Sequence, residues 1–381
     1  MEYDVAVIGG GIQGAGVAQA AAAAGYKVIV FEQTAIASGT SSKSSKLIHG
    51  GLRYLETGQF KLVRKTLLER ERLIKLAPTL VKPVKFYIPI YSQTTRSAWQ
   101  IWIGLFLYQV LGGFKKYTHF KKVNLSSQPI ENLRMTDLKT VFQYYDAQTD
   151  DEKLTQSVMR SAESLGAVLS CPSEVISLNF INSKYEIKIN NTKESINAKF
   201  IVNVSGPWVN QVLDKVDGAA VVKMDCDLVQ GTHIVLDAPA PEGVIYVEAP
   251  QDKRAVFIMP WKGKTLVGTT EKNYVGDPAK VIATETEINY LKDVYLHYML
   301  LKEVTIIESF AGLRVLPRIK GSFFVRPRDT VIHDSAEKLL TLYGGKLTGY
   351  RVTAEDVLEK IKKVLPINTT HCKQTKNIHL K

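Results

Sequence analysis

Residues 4–32 read DVAVIGGGIQGAGVAQAAAAAGYKVIVFE. The first five, DVAVI, read as a buried parallel strand, and KVIVF at 27–31 reads as a second. Between them the small-residue run GAGVAQAAAAA at 14–24 reads as a helix that Gly25 ends. The unit is βαβ. At its first turn Gly9, Gly11 and Gly14 fit GxGxxG. This spacing allows a tight turn, a close backbone approach to a pyrophosphate and close packing of helix on strand. The helix N-terminus offers free N–H groups and a partial positive charge to phosphates. Glu32 closes the second strand, where a carboxylate accepts hydrogen bonds from both ribose hydroxyls and repels a 2′-phosphate. The pattern points to a dinucleotide site without separating FAD from NAD. An ordinary glycine-rich βα turn is the alternative.

The rest of the chain sets bounds. Its 381 residues suggest two domains, or one large fold with an inserted lobe. With 45% hydrophobic and 23% charged residues it is an ordinary globular chain, which excludes collagenous and wholly disordered classes. Cys171, Cys226 and Cys372 are odd in number, widely spaced and without CxxC. They read as free thiols, and neither a disulfide framework nor a metal site is expected. The formal net charge is +12, and between Lys43 and Lys85 eleven Lys and Arg face three Glu. That field suits an anionic partner: phosphate, anionic lipid or nucleic acid. The acidic start Met-Glu-Tyr-Asp is unlike a secretory signal, and WQIWIGLFLYQVL at 99–111 is too short to span a bilayer. Further helices are expected at 58–77, 96–111, 150–165, 284–301 and 349–363. Strands are expected at 168–178, 184–190, 198–204 and across 221–270. Pro78, Pro83 and Pro89 punctuate the stretch after the first of these helices.

The loop and helix SSKSSKLIHGGLRYLETGQFKLVRKTLLER (41–70) strongly resembles the FAD-dependent glycerol-3-phosphate dehydrogenases, respiratory flavoenzymes of the D-amino-acid-oxidase-like superfamily. The resemblance continues in the family's order through WQIWIGLFLYQVLGG, Tyr144-Tyr145-Asp146, Val204-Ser205-Gly206-Pro207-Trp208 and Gln230-Gly231-Thr232-His233-Ile234-Val235. Asp252-Lys253-Arg254, Met259-Pro260-Trp261, Gly268-Thr269-Thr270 and Gly344-Gly345-Lys346-Leu347-Thr348 complete it, over nearly the whole chain. Two departures stand out. Family members often carry a C-terminal helical domain of about a hundred residues, a size typical of one small domain, which is not seen here. The segment Pro317–Asp329 (PRIKGSFFVRPRD) is also unlike the family pattern.

The resemblance implies an α/β (α+β overall) fold, D-amino-acid-oxidase-like, with a Rossmann-like FAD-binding lobe and a discontinuous, sheet-rich substrate/cap lobe. The FAD lobe would come from residues 1–80, 141–212 and 306–381, the cap from 81–140 and 213–305. It further implies oxidation of sn-glycerol 3-phosphate to dihydroxyacetone phosphate, with a hydride passing from C2 to flavin N5. Gly9, Gly11, Ile12 and Gly14 would take the pyrophosphate, and Glu32 and Gln33 the ribose. Ser41, Ser42, Ser45, Lys46, Leu47, His49, Gly50 and Gly51 would line the pyrophosphate and the ring. Val175 would reach the adenosine end, and Ser205, Gly206 and Trp208 would pack near the cofactor. Gly345, Lys346, Leu347 and Thr348, before a helix, would face the flavin O2 side.

Arg53 and Arg314 are the main phosphate candidates, because a guanidinium offers a fork of donors and stays charged. Arg328 is a third. His233 and His49 are the base candidates, since an imidazole titrates near neutrality. His233, expected on a cap strand facing the ring, is preferred; His49 is the alternative or an orienting partner. Tyr54 and Thr270 would add hydrogen bonds to substrate. Lys46 and Lys346 would place positive charge near the ring.

Electrons would pass to membrane quinone. The protein is expected in the cytoplasm, peripheral to the inner face of the cytoplasmic membrane, with the basic 43–85 stretch and the apolar 99–111 stretch as contacts. A buried helix of the cap is the competing and preferred reading of 99–111, because Trp99, Trp102, Phe106 and Leu107 do not fall on one face. A homodimer is a further expectation, and no nucleic acid is expected: FKKYTHFKK (114–122) is the one short basic-aromatic segment. The rivals are a glycerol-3-phosphate oxidase using oxygen, an amino-acid or sarcosine-type oxidase on the same fold, and a non-catalytic flavin binder.

Overall fold

In the computed structural model, residues 1–127, 130–318, 330–367 and 373–380 are described; Arg328, Cys372 and most of the 317–329 segment lie outside them. The N-terminal βαβ unit is the centre of a nine-stranded sheet. Strand Glu2–Ile8 pairs in parallel with Val28–Phe31 on one side and Ile196–Asn203 on the other. Val168–Ser170 extends the first edge, also in parallel. Leu339–Tyr343 joins Ile196–Asn203 in parallel, and Lys184–Ile189 joins it antiparallel. Helices pack on one face of this sheet. Ile12–Ala23 lies against both Asp151–Ser164 and Tyr350–Val364. The alanine run explains the close approach: Ala15, Ala18, Ala20 and Ala21 are all at most 1% exposed. At Gly16 a Cβ would lie 2.8 Å from the Tyr350 ring.

The second sheet has ten strands. Its long members are Cys226–Pro239, antiparallel to Ile306–Pro317, and Val81–Tyr91, antiparallel to Leu138–Thr149. Lys264–Gly268, Ala255–Trp261 and Val244–Glu248 connect the two pairs. Helix Glu285–Tyr298 covers one face through Leu291, Val294 and Tyr295. Helices Phe60–Leu76 and Ala98–Leu111 pack into a second cluster around Phe86, Tyr144 and Met259. Burial of such apolar surface, at about 25 cal/mol per Å², is what holds each helix to its sheet.

The mixed α/β architecture matches the expectation, and the sheets refine its outline. Most of Leu138–Thr149 (from 141 on), with Ile306–Pro317 and Leu47–Ile48, falls in the expected FAD lobe by number yet is hydrogen-bonded into the second sheet. These strands run from that sheet to the cavity. The expected strand 168–178 is two strands, Val168–Ser170 and Val175–Ile181, divided at Pro172. Val81–Tyr91 is an eleven-residue strand in spite of Pro83 and Pro89. Its second neighbour, Val244–Glu248, pairs with it only at Phe86 and Tyr87. Both prolines therefore sit where that edge asks for no backbone donor.

Helix Ala98–Leu111 corrects the reading of its faces. It buries Ile101, Leu105 and Tyr108 and exposes Trp99, Trp102, Ile103, Phe106 and Val110. The exposed residues recur at three- and four-residue steps, so they share one side. The sequence hid this because nearly every position of the helix is apolar. Among the described residues no helix is long and apolar enough to cross a membrane.

Candidate active site

A cavity of about 1040 Å³ runs from the glycine-rich turn to the second sheet. Small-molecule pockets are roughly 300–1,000 Å³, so this one has room for a dinucleotide. At its near end Gly9 has φ +117° and lies against the Val204 carbonyl, which a Cβ would approach to 2.7 Å. Gly14 sits behind Gly9: a Cβ there would lie 1.9 Å from the Gly9 carbonyl oxygen. The first helix starts here, and the Ile12 N–H donates to Ser41 Oγ at 2.9 Å. Glu32 accepts from the Gly10 N–H (2.7 Å) and from the Thr34 N–H (2.9 Å) and hydroxyl (3.1 Å). Its carboxylate thus braces the turn while lining the cavity.

Midway along the cavity the segments around His49 and Thr348 meet. The His49 N–H donates to Thr348 Oγ1 at 3.1 Å. Lys346 Nζ stands 3.9 Å from the Tyr54 ring centroid. Behind His49, the Gly50 N–H donates to the Tyr108 hydroxyl at 2.8 Å, and that hydroxyl donates to Asp146. Arg70 holds Asp146 Oδ1 at 2.6 Å, both side chains being fully buried. This buried cluster fixes the loop from outside the cavity.

At the far end lies His233, 2% exposed. Its Nε2 is 2.9 Å from Ser45 Oγ. The imidazole stacks on Phe310, with centroids 5.1 Å apart and planes 14° apart, and it rests on Gly268. Burial, then the positive charges of Lys46 and Arg314, pull His233 down to about 3 from its ordinary 6.5. It is therefore neutral near pH 7. Burial also lowers His49. Arg314 Nη1 pairs with Glu271 at 2.9 Å, and Nη2 donates to the Thr270 carbonyl at 3.2 Å. Arg53 is exposed at the cavity wall; its neighbour Glu56 is held by Arg96 at 2.5 and 2.8 Å.

The family model described as DAO, FAD dependent oxidoreductase, matches residues 4–351. This chain belongs to that FAD-dependent oxidoreductase family. It is 37% identical over 374 residues to D-erythritol 1-phosphate dehydrogenase of Brucella abortus, covering 95% of this chain and 74% of that protein. It is also 37% identical to the aerobic glycerol-3-phosphate dehydrogenase of Escherichia coli, covering 94% of this chain and 73% of that one. Among solved structures, the glycerol-3-phosphate dehydrogenase from Bacillus halodurans complexed with FAD superposes with a TM-score of 0.77 at 28% identity, over all of this chain and 68% of that one. The L-alpha-glycerophosphate oxidase of Mycoplasma pneumoniae shares the fold, with a TM-score of 0.78 at 15% identity over 95% of each chain.

The residues suit the family's cofactor. The turn leaves room for a pyrophosphate at a helix N-terminus, and the Glu32 carboxylate lines the same end of the cavity. Of the residues expected from sequence, Gly9, Gly11, Ile12, Glu32, Gln33, Ser41, Ser45, Leu47, His49, Gly51, Val175, Ser205, Gly206 and Trp208 line the cavity. So do Arg53, Tyr54, His233, Arg314, Gly345, Lys346, Leu347 and Thr348. Five do not. Gly14 lies behind Gly9, and Gly50 lies against Tyr108 and Leu67. Ser42 turns to the Gly39 carbonyl (3.3 Å). Lys46 is drawn to Asp151 at 2.6 Å, because a buried ammonium must be paired. Thr270 donates to Glu287 at 2.6 Å. Sequence reasoning gave no role to Asp151, Phe310, Glu271 or the Arg70–Asp146–Tyr108 cluster. Asp146 was within reach through the Tyr-Tyr-Asp motif, and the others meet the site only through tertiary contacts.

Proposed function

We propose that this flavoprotein oxidises the secondary alcohol of sn-glycerol 3-phosphate to the ketone of dihydroxyacetone phosphate. The observation that carries the reading is the far wall of the cavity: a buried neutral imidazole, His233, with Arg53 and Arg314 lining the same space. An alcohol oxidation needs a proton acceptor, and a phosphate dianion needs guanidinium donors. Relatives named glycerol-3-phosphate dehydrogenase, 36–37% identical over about 94% of this chain, support the same assignment.

Arg53, free of any ion pair among the described residues, would receive the phosphate. Arg314, already oriented by Glu271, would hold a second oxygen. His233 would take the hydroxyl proton, its ring kept in place by Ser45, Phe310 and Gly268. Tyr54 and Lys346 would close the space between substrate and loop. FAD, when bound, supplies the two-electron acceptor.

Membrane quinone is the proposed final acceptor, reached by peripheral contact with the inner face of the cytoplasmic membrane. The exposed Trp99, Trp102, Phe106 and Phe114, with exposed Lys115, Lys116, Lys121 and Lys122 nearby, support this. D-erythritol 1-phosphate is a second substrate reading, favoured by the Brucella relative. Anaerobic bleaching of the flavin band by each sugar-alcohol phosphate separates the two substrates. A protein loaded with FAD that neither compound bleaches refutes the proposal.

A further inference from the structure

The tripeptide Ser44-Ser45-Lys46 links the first helix layer to the imidazole. Its two outer residues are tied to a single carboxylate. Asp151, fully buried at the start of helix Asp151–Ser164, accepts the Ser44 N–H (3.0 Å) and hydroxyl (2.6 Å) on Oδ2. On Oδ1 it accepts the Lys46 ammonium (2.6 Å) and the Glu152 N–H (2.9 Å). Lys46 also donates to the Ser42 carbonyl at 2.6 Å, and its φ of +59° lies in the left-handed region. A lysine stays there only where its surroundings over-determine it. The middle residue, Ser45, is left to meet His233 Nε2 at 2.9 Å. Lys46 Nζ lies 5.1 Å from the centroid of Phe310, the ring that stacks on His233.

We infer that Asp151 and Lys46 are positioning residues for His233: Asp151 fixes the tripeptide so that Ser45 holds the imidazole, and Lys46, paired with Asp151, keeps a buried positive charge against Phe310, the ring that stacks on the imidazole. The inference rests on the reading of His233 as proton acceptor. It explains why a loop so rich in serine carries a lysine that faces away from the cavity. The charged groups around the imidazole come from five segments of the chain. They are Lys46 and Lys43 on the loop, Arg314 on strand Ile306–Pro317 with its partner Glu271, Glu287 behind Thr270, and Asp151 behind Lys46. Asp151 cancels part of the field of Lys46. Removing the two charges therefore moves the imidazole in opposite directions.

The test uses the FAD-loaded protein with 13Cε1-labelled histidines, the His233 signal being assigned through H233N. The titration of that signal and the pH profile of kcat are compared among the parent, K46M, D151N and K46M/D151N. K46M is expected to raise the His233 midpoint and the acid limb of kcat by about one pH unit, the scale set by a nearby charge. D151N is expected to shift neither upward, and to lower kcat by about tenfold with KM nearly unchanged, because Ser45 loses its anchor. The double variant, which leaves no buried ammonium unpaired, returns the midpoint toward the parent. A K46M midpoint and acid limb that coincide with the parent's overturn the inference. If H233N keeps the parent's kcat, the proton-acceptor reading fails instead, and the His233 signal in K46M still judges the charge coupling.

Discussion

Gly268 is the residue on which the catalytic geometry can be tested with one methyl group. A Cβ at this position would lie 2.0 Å from His233 Cδ2 and 2.6 Å from Cγ and Nε2. Ordinary contact begins at 3.4 Å, so in Gly268→Ala the ring must retreat by the difference, about 1.4 Å. Phe310, stacked on the imidazole, limits where it can go, and the 2.9 Å bond to Ser45 is lost on the way. A misplacement of about 1 Å at a reacting group costs roughly 10²-fold in rate. That corresponds to about 2.7 kcal/mol on the barrier. The assay is an anaerobic single-turnover measurement of flavin bleaching by sn-glycerol 3-phosphate, with FAD per chain measured alongside. The expected result is a bleaching rate lower by about two orders of magnitude at unchanged FAD content. A rate within about threefold of the parent at full FAD content would refute the placement of His233 at the reacting centre.

Other perturbations separate the remaining parts of the site. Gly14→Ala, whose methyl would meet the Gly9 carbonyl oxygen at 1.9 Å, is expected to abolish FAD binding while far-UV circular dichroism stays near the parent's; retained stoichiometric FAD contradicts it. Arg53→Met is expected to raise KM for the phosphate substrate by about 10- to 100-fold, the scale of one charge-assisted hydrogen bond, with a smaller change in kcat; steady-state kinetics decide. Stability should fall with acidity: His233 takes a proton near 6.5 when unfolded but only at about 3 when folded, so the unfolded chain binds more protons between these values. From pH 6.5 to pH 5 this amounts to about 2 kcal/mol, read as a lower urea midpoint, and H233N should reduce the slope by that amount, leaving the part that His49, also lowered by burial, contributes.

What the sequence made legible was local. The strand, turn and helix at 4–32 depend on glycine spacing and on runs of small and apolar residues, and neighbours in the chain settle those. The helix expected at 58–77 spans Phe60–Leu76 because its apolar residues recur on one face above a charged one. Where partners are distant the sequence was silent. Nothing in 81–91 shows that its two prolines fall outside the short pairing with Val244–Glu248. The helix at 98–111 is apolar on every side, so periodicity could not tell its exposed face from its buried one. Lys46 stands in a row of expected cofactor contacts, and the carboxylate that draws it away is 105 positions along the chain. His233, Arg53 and Arg314 come to one cavity from three separate segments. The motifs suggested each of them singly; the long strands of the second sheet and the loop before the basic helix bring them together.

The most direct test of the account is the anaerobic visible spectrum of the purified protein before and after addition of sn-glycerol 3-phosphate. An oxidised-flavin band near about 450 nm that bleaches with this compound, and not with D-amino acids or sarcosine, is the predicted result. Readmitted oxygen or an added quinone analogue then identifies the acceptor. A flavin band that sn-glycerol 3-phosphate leaves unchanged would contradict the assignment of Arg53, Arg314 and His233 to a phosphate-bearing alcohol.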